Sequence, residues 1–383
     1  MIEILGGVRT PIGKFGGALQ KLRARDIGAH AIRETIRTTG VPPESVDLAV
    51  VGLARQAGNG PNPGRLMAVG GGLSYDTPAF TVQQACLSGM LAVISGTQAI
   101  QTGDATVVIA GGVEHMSSVP HLSFETRWGA RMGTAELVDA MFADGFIDPM
   151  SGKHMGKLCD ELAARYGITR DEQDAYALES QQRWAKAHAA KADAGILRAI
   201  PDLLDVDENP RPDSTLQGLA KLRPAFDAQG TVTPGNACGL ADGAAAIAFA
   251  SAEAASRLGV KPKARIVGTA IAAIDPKDYA IAPVAATRKL LEKIDMRVEQ
   301  FDYVEINEAF AAQMLACIRD LQLDRTRVNV WGGAIAVGHP IGMSGIRVLL
   351  NAVHQLETLG GRYALATICG NGGQGASIAL EKI

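Results

Sequence analysis

The chain has 383 residues, 47% hydrophobic and 20% charged, so it can bury a large core and, at roughly 150 residues per domain, exceeds one small domain. Lys and Arg total 37 against 40 Asp and Glu, a formal charge of -3, so no global basic field draws nucleic acid or an anionic membrane. Its 44 Gly and 17 Pro are spread without period, which excludes collagen-like and low-complexity readings.

Apolar runs such as Ala105 to Val113 and Ala244 to Ala250 are far shorter than the 18 or so residues of a membrane span. The first residues enter an apolar strand, Ile2 to Leu5, rather than a charged leader with an apolar stretch and cleavage site, so the expected location is cytoplasmic. Cys86, Cys159, Cys238, Cys317 and Cys369 are odd in number and widely spaced, which fits neither a disulfide framework nor paired zinc knuckles. The histidines are scattered without a ligand-type partner four residues on, so no metal is expected.

In chain order, Arg23 to Thr38 has helical spacing, Val46 to Leu53 is a short strand, and Cys86 to Gln101 reads as a small-residue helix ending near Gly103. The β-branched run Ala105 to Ala110 follows as a strand, stopped by Gly111-Gly112. Strand and helix in alternation indicate the α/β class. From about Met116 to Leu240 the texture is more polar, with helices at Lys157 to Arg165 and Arg170 to Ala190 and a Pro-rich loop at Asn209 to Asp213, as expected of an insertion over the core. The last third repeats the first. Ser344-Gly345, a helix, Gly360-Gly361, the strand Tyr363 to Ile368 and the glycines through Gly375 echo Ser88-Gly89, its helix, Gly103, its strand and Gly111-Gly112. Two such halves bring two helix starts to one interface.

Four positions carry candidate chemistry. Cys86 stands at a helix start, where unsatisfied N–H groups favour a thiolate, although a buried cysteine also serves as a small hydrophobe. His339 lies between Gly338 and Pro340, which constrain it. Cys369 ends a strand before Gly370-Asn371-Gly372-Gly373, whose successive N–H groups can line an oxyanion site. Asn307, in Asn307-Glu308-Ala309-Phe310, is either a site residue or an ordinary helix N-cap. No G-x-G-x-x-G opens a βαβ unit, which disfavours a dinucleotide fold. Two thiols, an imidazole and an amide beside glycine turns form an inventory for acyl transfer through a thioester.

These blocks, with Val8-Arg9-Thr10-Pro11-Ile12-Gly13, Gly111 to Ser117, Arg131-Met132-Gly133, His154-Met155-Gly156, Gly218 to Pro224 and Gly230 to Thr233 in this order, resemble the thiolase family of acyl-CoA acyltransferases over essentially the whole chain. The resemblance implies a thiolase fold, with duplicated α/β/α layered halves and an inserted loop domain. Its expected limits are 1–117 for the N-terminal half with 241–263 returning to it, 118–240 for a coenzyme A-binding loop domain, and 264–383 for the C-terminal half. It implies Cys86 as the acylated nucleophile, His339 as its base, Cys369 as the acid/base thiol and Asn307 as the holder of an oxyanion-site water, with the backbone N–H groups of Cys86 and Asn371 as the other oxyanion site. His154, Met155, Arg211, Phe226, Pro234, Gly235, Cys238, Tyr279, Ala309 and Phe310 would line the coenzyme A and acyl path. The implied activity is ping-pong cleavage of 3-oxoacyl-CoA, or the reverse Claisen condensation, with coenzyme A as substrate, no permanently bound cofactor, and a dimer or tetramer as assembly. A ketosynthase-like condensing enzyme and a non-catalytic acyl-CoA carrier or scaffold are the alternatives. Leu87, Pro234, Cys238, Tyr279 and Asn371 depart from the usual pattern, which bears on acyl-chain preference.

Overall fold

A computed structural model describes residues 1–383. Its main elements are β1 (Ile2–Arg9), α1 (Ala24–Thr39), β2 (Leu48–Leu53), α2 (Pro63–Gly70), β3 (Ala79–Val82), α3 (Ser88–Thr102) and β4 (Val107–His115), then α4 (Met155–Tyr166) and α5 (Arg170–Ala189). After them come β5 (Ala241–Ser251), β6 (Ala264–Ala273), α6 (Ala282–Ile294), β7 (Tyr303–Ile306), α7 (Ala311–Asp320), α8 (Ile341–Thr358), β8 (Tyr363–Gly370) and β9 (Gln374–Lys382). No helix is long and apolar enough to cross a membrane.

The strands run β7-β8-β9-β6-β1-β5-β4-β2-β3. The β6–β1 junction holds only the pairs Ile2↔Ile266, Glu3↔Arg265 and Ile4↔Ala264, so the ladder is two sheets touching at one corner. Each sheet follows the same plan. In the first, β2 lies parallel to β4, and β5 lies between β4 and β1, antiparallel to each. In the second, β7 lies parallel to β8, and β8, β9 and β6 are antiparallel neighbours.

Side-chain alternation assigns the layers. On β5, Ala245, Ile247 and Phe249 join a core built on α3 and α8, whereas Ala244, Ala246, Ala248 and Ala250 join a second core with α1 and α2. On the other sheet, Ile368 and Ile378 face the first core, while Leu365 and Ala379 face a third core with α6, α7 and α4. The order is therefore helices, sheet, the α3/α8 pair, sheet, helices. Because both faces of these strands are covered, they read as continuous apolar runs. α8 is buried from Ile341 through Leu356, as a helix between two sheets must be.

Two boundaries differ from expectation. β4 does not stop at Gly111-Gly112 but continues to His115, because a strand can pass through two glycines when another backbone must come close. A Cβ on Gly112 would stand 2.5 Å from the Gly342 carbonyl oxygen at the start of α8. α3 begins at Ser88, two residues beyond Cys86.

The segment between β4 and β5 is tied to the sheets by buried polar contacts. Arg9, at the end of β1, donates to Asp207 at 2.7 Å and to Asp193 at 2.9 Å. Glu308 accepts from Tyr176 and Ser180 of α5 and from the Asn329 amide and Ile335 N–H.

α3 and α8 meet backbone to backbone. A Cβ on Gly89 would lie 2.5 Å from the Gly342 oxygen, and one on Gly345 would lie 2.5 Å from the Met90 nitrogen. Gly345→Ala gains about 1 kcal/mol of helix propensity but forces the helices apart against rigid backbone. The expected net loss is about 2 kcal/mol, read as a lower urea midpoint at unchanged slope.

Candidate active site

β3 leads into a tight turn before α3. The Gln84 N–H donates to Ser88 Oγ at 2.9 Å, the Ser88 hydroxyl donates to the Ala85 carbonyl at 2.6 Å, and Ala85 is held at φ 47°. A left-handed alanine costs about 1–2 kcal/mol, strain of a kind that concentrates at functional sites. It places Cys86 outside the helix, partly open to solvent.

The end of β8 lies against this turn. Cys369 is buried at 1% exposure, and the loop after it turns through Gly372 and Gly373 at φ 81° and 75°, so the left-handed positions fall on glycines and Asn371 needs no such conformation. The Asn371 N–H and the N–H of Cys86 itself both point at the Cys86 sulfur. The Asn371 side chain donates to the Gly145 carbonyl at 2.9 Å, anchoring the loop to the inserted segment. Leu87 is fully buried against Gly370, and a Cβ on Gly370 would overlap its Cδ1.

His339 stands in the bend before α8, where its N–H donates to the Gly239 carbonyl at 3.0 Å. Its Nδ1 lies 2.6 Å from Ser344 Oγ, and the Ser344 hydroxyl lies 2.9 Å from the Pro340 carbonyl. The serine proton is committed to that carbonyl, so Oγ accepts from Nδ1–H and Nε2 is the free base. Asn307 follows β7 with its N–H on the Thr367 carbonyl; Phe310, not Asn307, caps α7, so the N-cap reading fails. Asn307 Nδ2 approaches both imidazole nitrogens at 3.5 Å.

Burial sets the protonation of this group. Desolvation pushes the Cys86 thiol up to about 11, opposed by nearby Arg55 and reinforced by Glu114. The thiolate expected from a helix start is overturned: α3 begins too late, and enclosure outweighs its field. Burial raises Cys369 well above the ordinary thiol value, with the Cys86 sulfur adding to the rise. Burial, then Arg347 and Arg55, lower His339 to about 3. At neutral pH the set is two thiols and a neutral imidazole.

A second group extends outward. His154 accepts the Gly156 N–H at 3.0 Å and stacks on Phe226 at 4.5 Å, and Phe226 meets Phe310 edge-on at 6.1 Å. The Cys238 N–H donates to the Ala309 carbonyl at 3.1 Å, and burial raises its thiol to about 12 with Cys86 contributing. Tyr279 is buried, its hydroxyl donates to the Met155 carbonyl at 3.0 Å, and Cys86, Cys238 and Cys369 all lie within electrostatic reach. Gly235 sits beneath Leu219 and Leu222. Pro234 and Arg211 are exposed; Arg211 is held through its backbone, its N–H on Gln181 and its carbonyl accepting from Ser214.

Ser344, Arg347, Arg55 and Glu114 escaped sequence reasoning. Ser344 and Arg347 share the His339 block, and Glu114 stands in a quoted motif, but one sequence does not reveal which buried polar groups face the site. The buried Glu114 carboxylate accepts N–H groups from Ala54, Arg55 and Gly342, joining the Arg55 loop to the start of α8.

Fold and site together define a thiol-based acyltransferase built from two α/β halves. The chain belongs to the thiolase family, since "Thiolase, N-terminal domain" matches residues 2–253 and "Thiolase, C-terminal domain" matches residues 260–382. It is 46% identical to an acetyl-CoA acetyltransferase of Chromobacterium violaceum and 44% identical to a probable acetyl-CoA acetyltransferase of Escherichia coli, covering 100% of this chain and 99% of each relative. Human mitochondrial 3-ketoacyl-CoA thiolase superposes with a TM-score of 0.97 at 37% identity, over 100% of this chain and 99% of the other. Bacillus anthracis acetyl-CoA acetyltransferase does so at 0.96 and 39%, over 100% and 98%. A complex of the human enzyme with CoA also matches at 0.97 and 37%, over 100% and 98%.

Two outcomes follow. The folded His339 value near 3 lies below its ordinary 6.5, so its contribution to stability is present above pH 6.5 and lost as pH falls toward 3. Between pH 7.5 and 5 the parent loses ~2 kcal/mol more than His339→Gln in urea titrations, while the rest of the chain titrates alike in both. Gly370→Ala lowers the unfolding free energy by about 1–3 kcal/mol, and combining it with Leu87→Ala costs less than the sum of the two single changes, a coupling read in a double-mutant cycle.

Proposed function

We propose that this acyltransferase cleaves a short 3-oxoacyl-CoA, acetoacetyl-CoA first among them, with coenzyme A, and runs the reverse Claisen condensation of acetyl-CoA. The observation that supports the proposal is the Cys86 sulfur close to the Asn371 N–H and to Cys369, with Asn307, next to the Cys369 strand end, in contact with His339. His339 Nε2 takes the Cys86 proton as sulfur attacks the keto carbon. The developing oxyanion is held by the N–H groups of Cys86 and Asn371. As the carbon–carbon bond breaks, its electron pair passes to the departing acetyl-CoA enolate, whose oxygen is held by protonated His339 and the Asn307 site. Cys369 gives its proton to the α-carbon; a raised thiol suits that acid role. The Cys369 thiolate then takes the proton of incoming coenzyme A, whose sulfur attacks the acyl-Cys86 thioester; the Cys86–acyl bond breaks, the new acyl-CoA leaves, and the Cys86 thiolate recovers its proton from His339.

The insertion, 118–240, holds coenzyme A in this reading. His154, Met155, Phe226, Gly235, Cys238, Ala309 and Phe310 line its pantetheine arm, with Pro234 and Arg211 toward its outer end. Tyr279 supports a short acyl group, because its ring is fixed by the Met155 hydrogen bond and cannot swing aside. The curated relatives named for acetyl-CoA agree with that choice. Exposed Phe124, Trp128, Met132 and Leu137 in the insertion support a dimer or tetramer, and five unpaired thiols suit the cytoplasm.

Intact mass after brief exposure to acyl-CoAs of graded length tests the proposal. One acetyl adduct is expected, absent in Cys86→Ser and weaker with long chains. Cys369→Ala is expected to keep the adduct while thiolysis falls about 10²–10⁴-fold. Full thiolysis by either variant refutes the assignment.

A further inference from the structure

Behind Asn307 lies a buried polar stripe that neither the motifs nor the reaction above uses. Arg347, Asn351 and Gln355 recur at intervals of four along α8, so they share one helix face. Glu305 and Asn307 are two residues apart on β7 and its extension, so they share one strand face. The two faces meet. Gln355 donates to Glu305 at 2.7 Å, Asn351 donates to it at 3.3 Å, and Arg347 Nη2 donates to Asn307 Oδ1 at 3.2 Å.

Arg347 is 2% exposed, its Nε has no partner, and its nearby counter-charges are Glu305, then Glu308 and Asp207, with Arg9 opposing them. A guanidinium in a helix otherwise packed between sheets carries a large desolvation cost, and replacing such a buried ion pair together by neutral residues of similar size often costs no stability. Stability therefore does not account for it. What its contact does settle is the orientation of an amide. Both ends of Asn307 have nearly the same shape, and the wrong orientation would present Oδ1, an acceptor, to His339 and to the substrate oxygen. A cation on Oδ1 forbids that orientation.

We infer that Arg347 is a positioning residue of the reaction, holding the Asn307 amide so that Nδ2 donates toward His339 and the enolate oxygen. The inference rests on the mechanism proposed above and places one more side chain in it. Arg347 touches no reacting atom; it acts through Asn307. It should matter to the step that places charge on the enolate and not to the step that loads Cys86, whose oxyanion is held by backbone N–H groups.

The test separates those two steps. Single-turnover cleavage of acetoacetyl-CoA reads carbon–carbon bond breaking, and acetyl loading of Cys86 from acetyl-CoA reads acyl transfer. Because Arg347→Met alone leaves Glu305 without its cation and can fail to fold, Arg347→Met/Glu305→Gln is made beside it. In that neutral pair cleavage is expected to fall about 10–100-fold, as for a misplaced oxyanion donor. Loading and the KM for coenzyme A should stay within about threefold. Arg347→Lys, which keeps a donor for Oδ1, restores part of the cleavage rate. On an Asn307→Ala background the Arg347 change adds no further loss. Cleavage at the parent rate in the neutral pair, an equal fall in both steps, or full additivity with Asn307→Ala overturns the inference. Failure of the parent to load Cys86 would instead refute the underlying mechanism.

Discussion

Two helices that cross with no side chain between them set the geometry of this protein. Gly89 and Gly345, with Gly342 and Gly112 beside them, let the starts of α3 and α8 touch backbone to backbone, and each helix is preceded by a candidate reactive residue. Cys86 precedes α3 and His339 precedes α8 each by two residues. The spacing of the two helix starts that carry Cys86 and His339 is thus set by direct backbone contact. The sheets on either side then bring Cys369 and Asn307 from the ends of β8 and β7 to the same point. Duplication of one strand order makes this economical, since a two-fold arrangement of similar halves delivers helix starts and strand ends together.

The same enclosure decides the electrostatics. Removing water from thiols and an imidazole favours their neutral forms, and it does so more strongly than the partial charge of a helix start favours a thiolate. With Cys86 near 11 and His339 near 3, moving the proton between them at rest is strongly uphill. Charge has to arise as the new carbon–sulfur bond forms, while the oxyanion meets oriented N–H groups in the same step. Such a site is quiet until substrate arrives. Glu114 belongs to this arrangement as well: burial raises its carboxyl above the ordinary value, opposed by Arg55 and by the N–H groups of Arg55, Gly342 and Ala54 that donate to it.

What could be read from the sequence followed from local chemistry. Cys86, His339 and Cys369 stood out because glycine, serine or proline beside them constrains the backbone; in the structure Cys86 and Cys369 lie within electrostatic reach of each other, and His339 meets Asn307. The alternation of strands and helices was legible for the same reason. The limits of β4 were not, because Gly111-Gly112 looks like a stop unless one knows that Gly342 presses on it from 230 positions away in the chain. Arg347 and Arg55 were invisible as site residues, since only the fold removes them from water and turns them on the imidazole. Pro234 and Arg211 lie at the surface, and no contact in the free protein marks them as binding residues.

The contact between Leu87 and Gly370 constrains history as well as structure. The two positions follow the two cysteines and share one volume, so a side chain at one excludes a side chain at the other. A lineage exchanging this arrangement for its mirror image, bulk at 370 and none at 87, has two routes, and they are not equivalent. Shrinking Leu87 first leaves a void that the core can tolerate at some cost, whereas enlarging Gly370 first drives an atom into a filled space beside both thiols. The two intermediates differ in kind, one a void and the other an overlap, yet each costs about 1–5 kcal/mol, so a change at 87 and a change at 370 are not independent events.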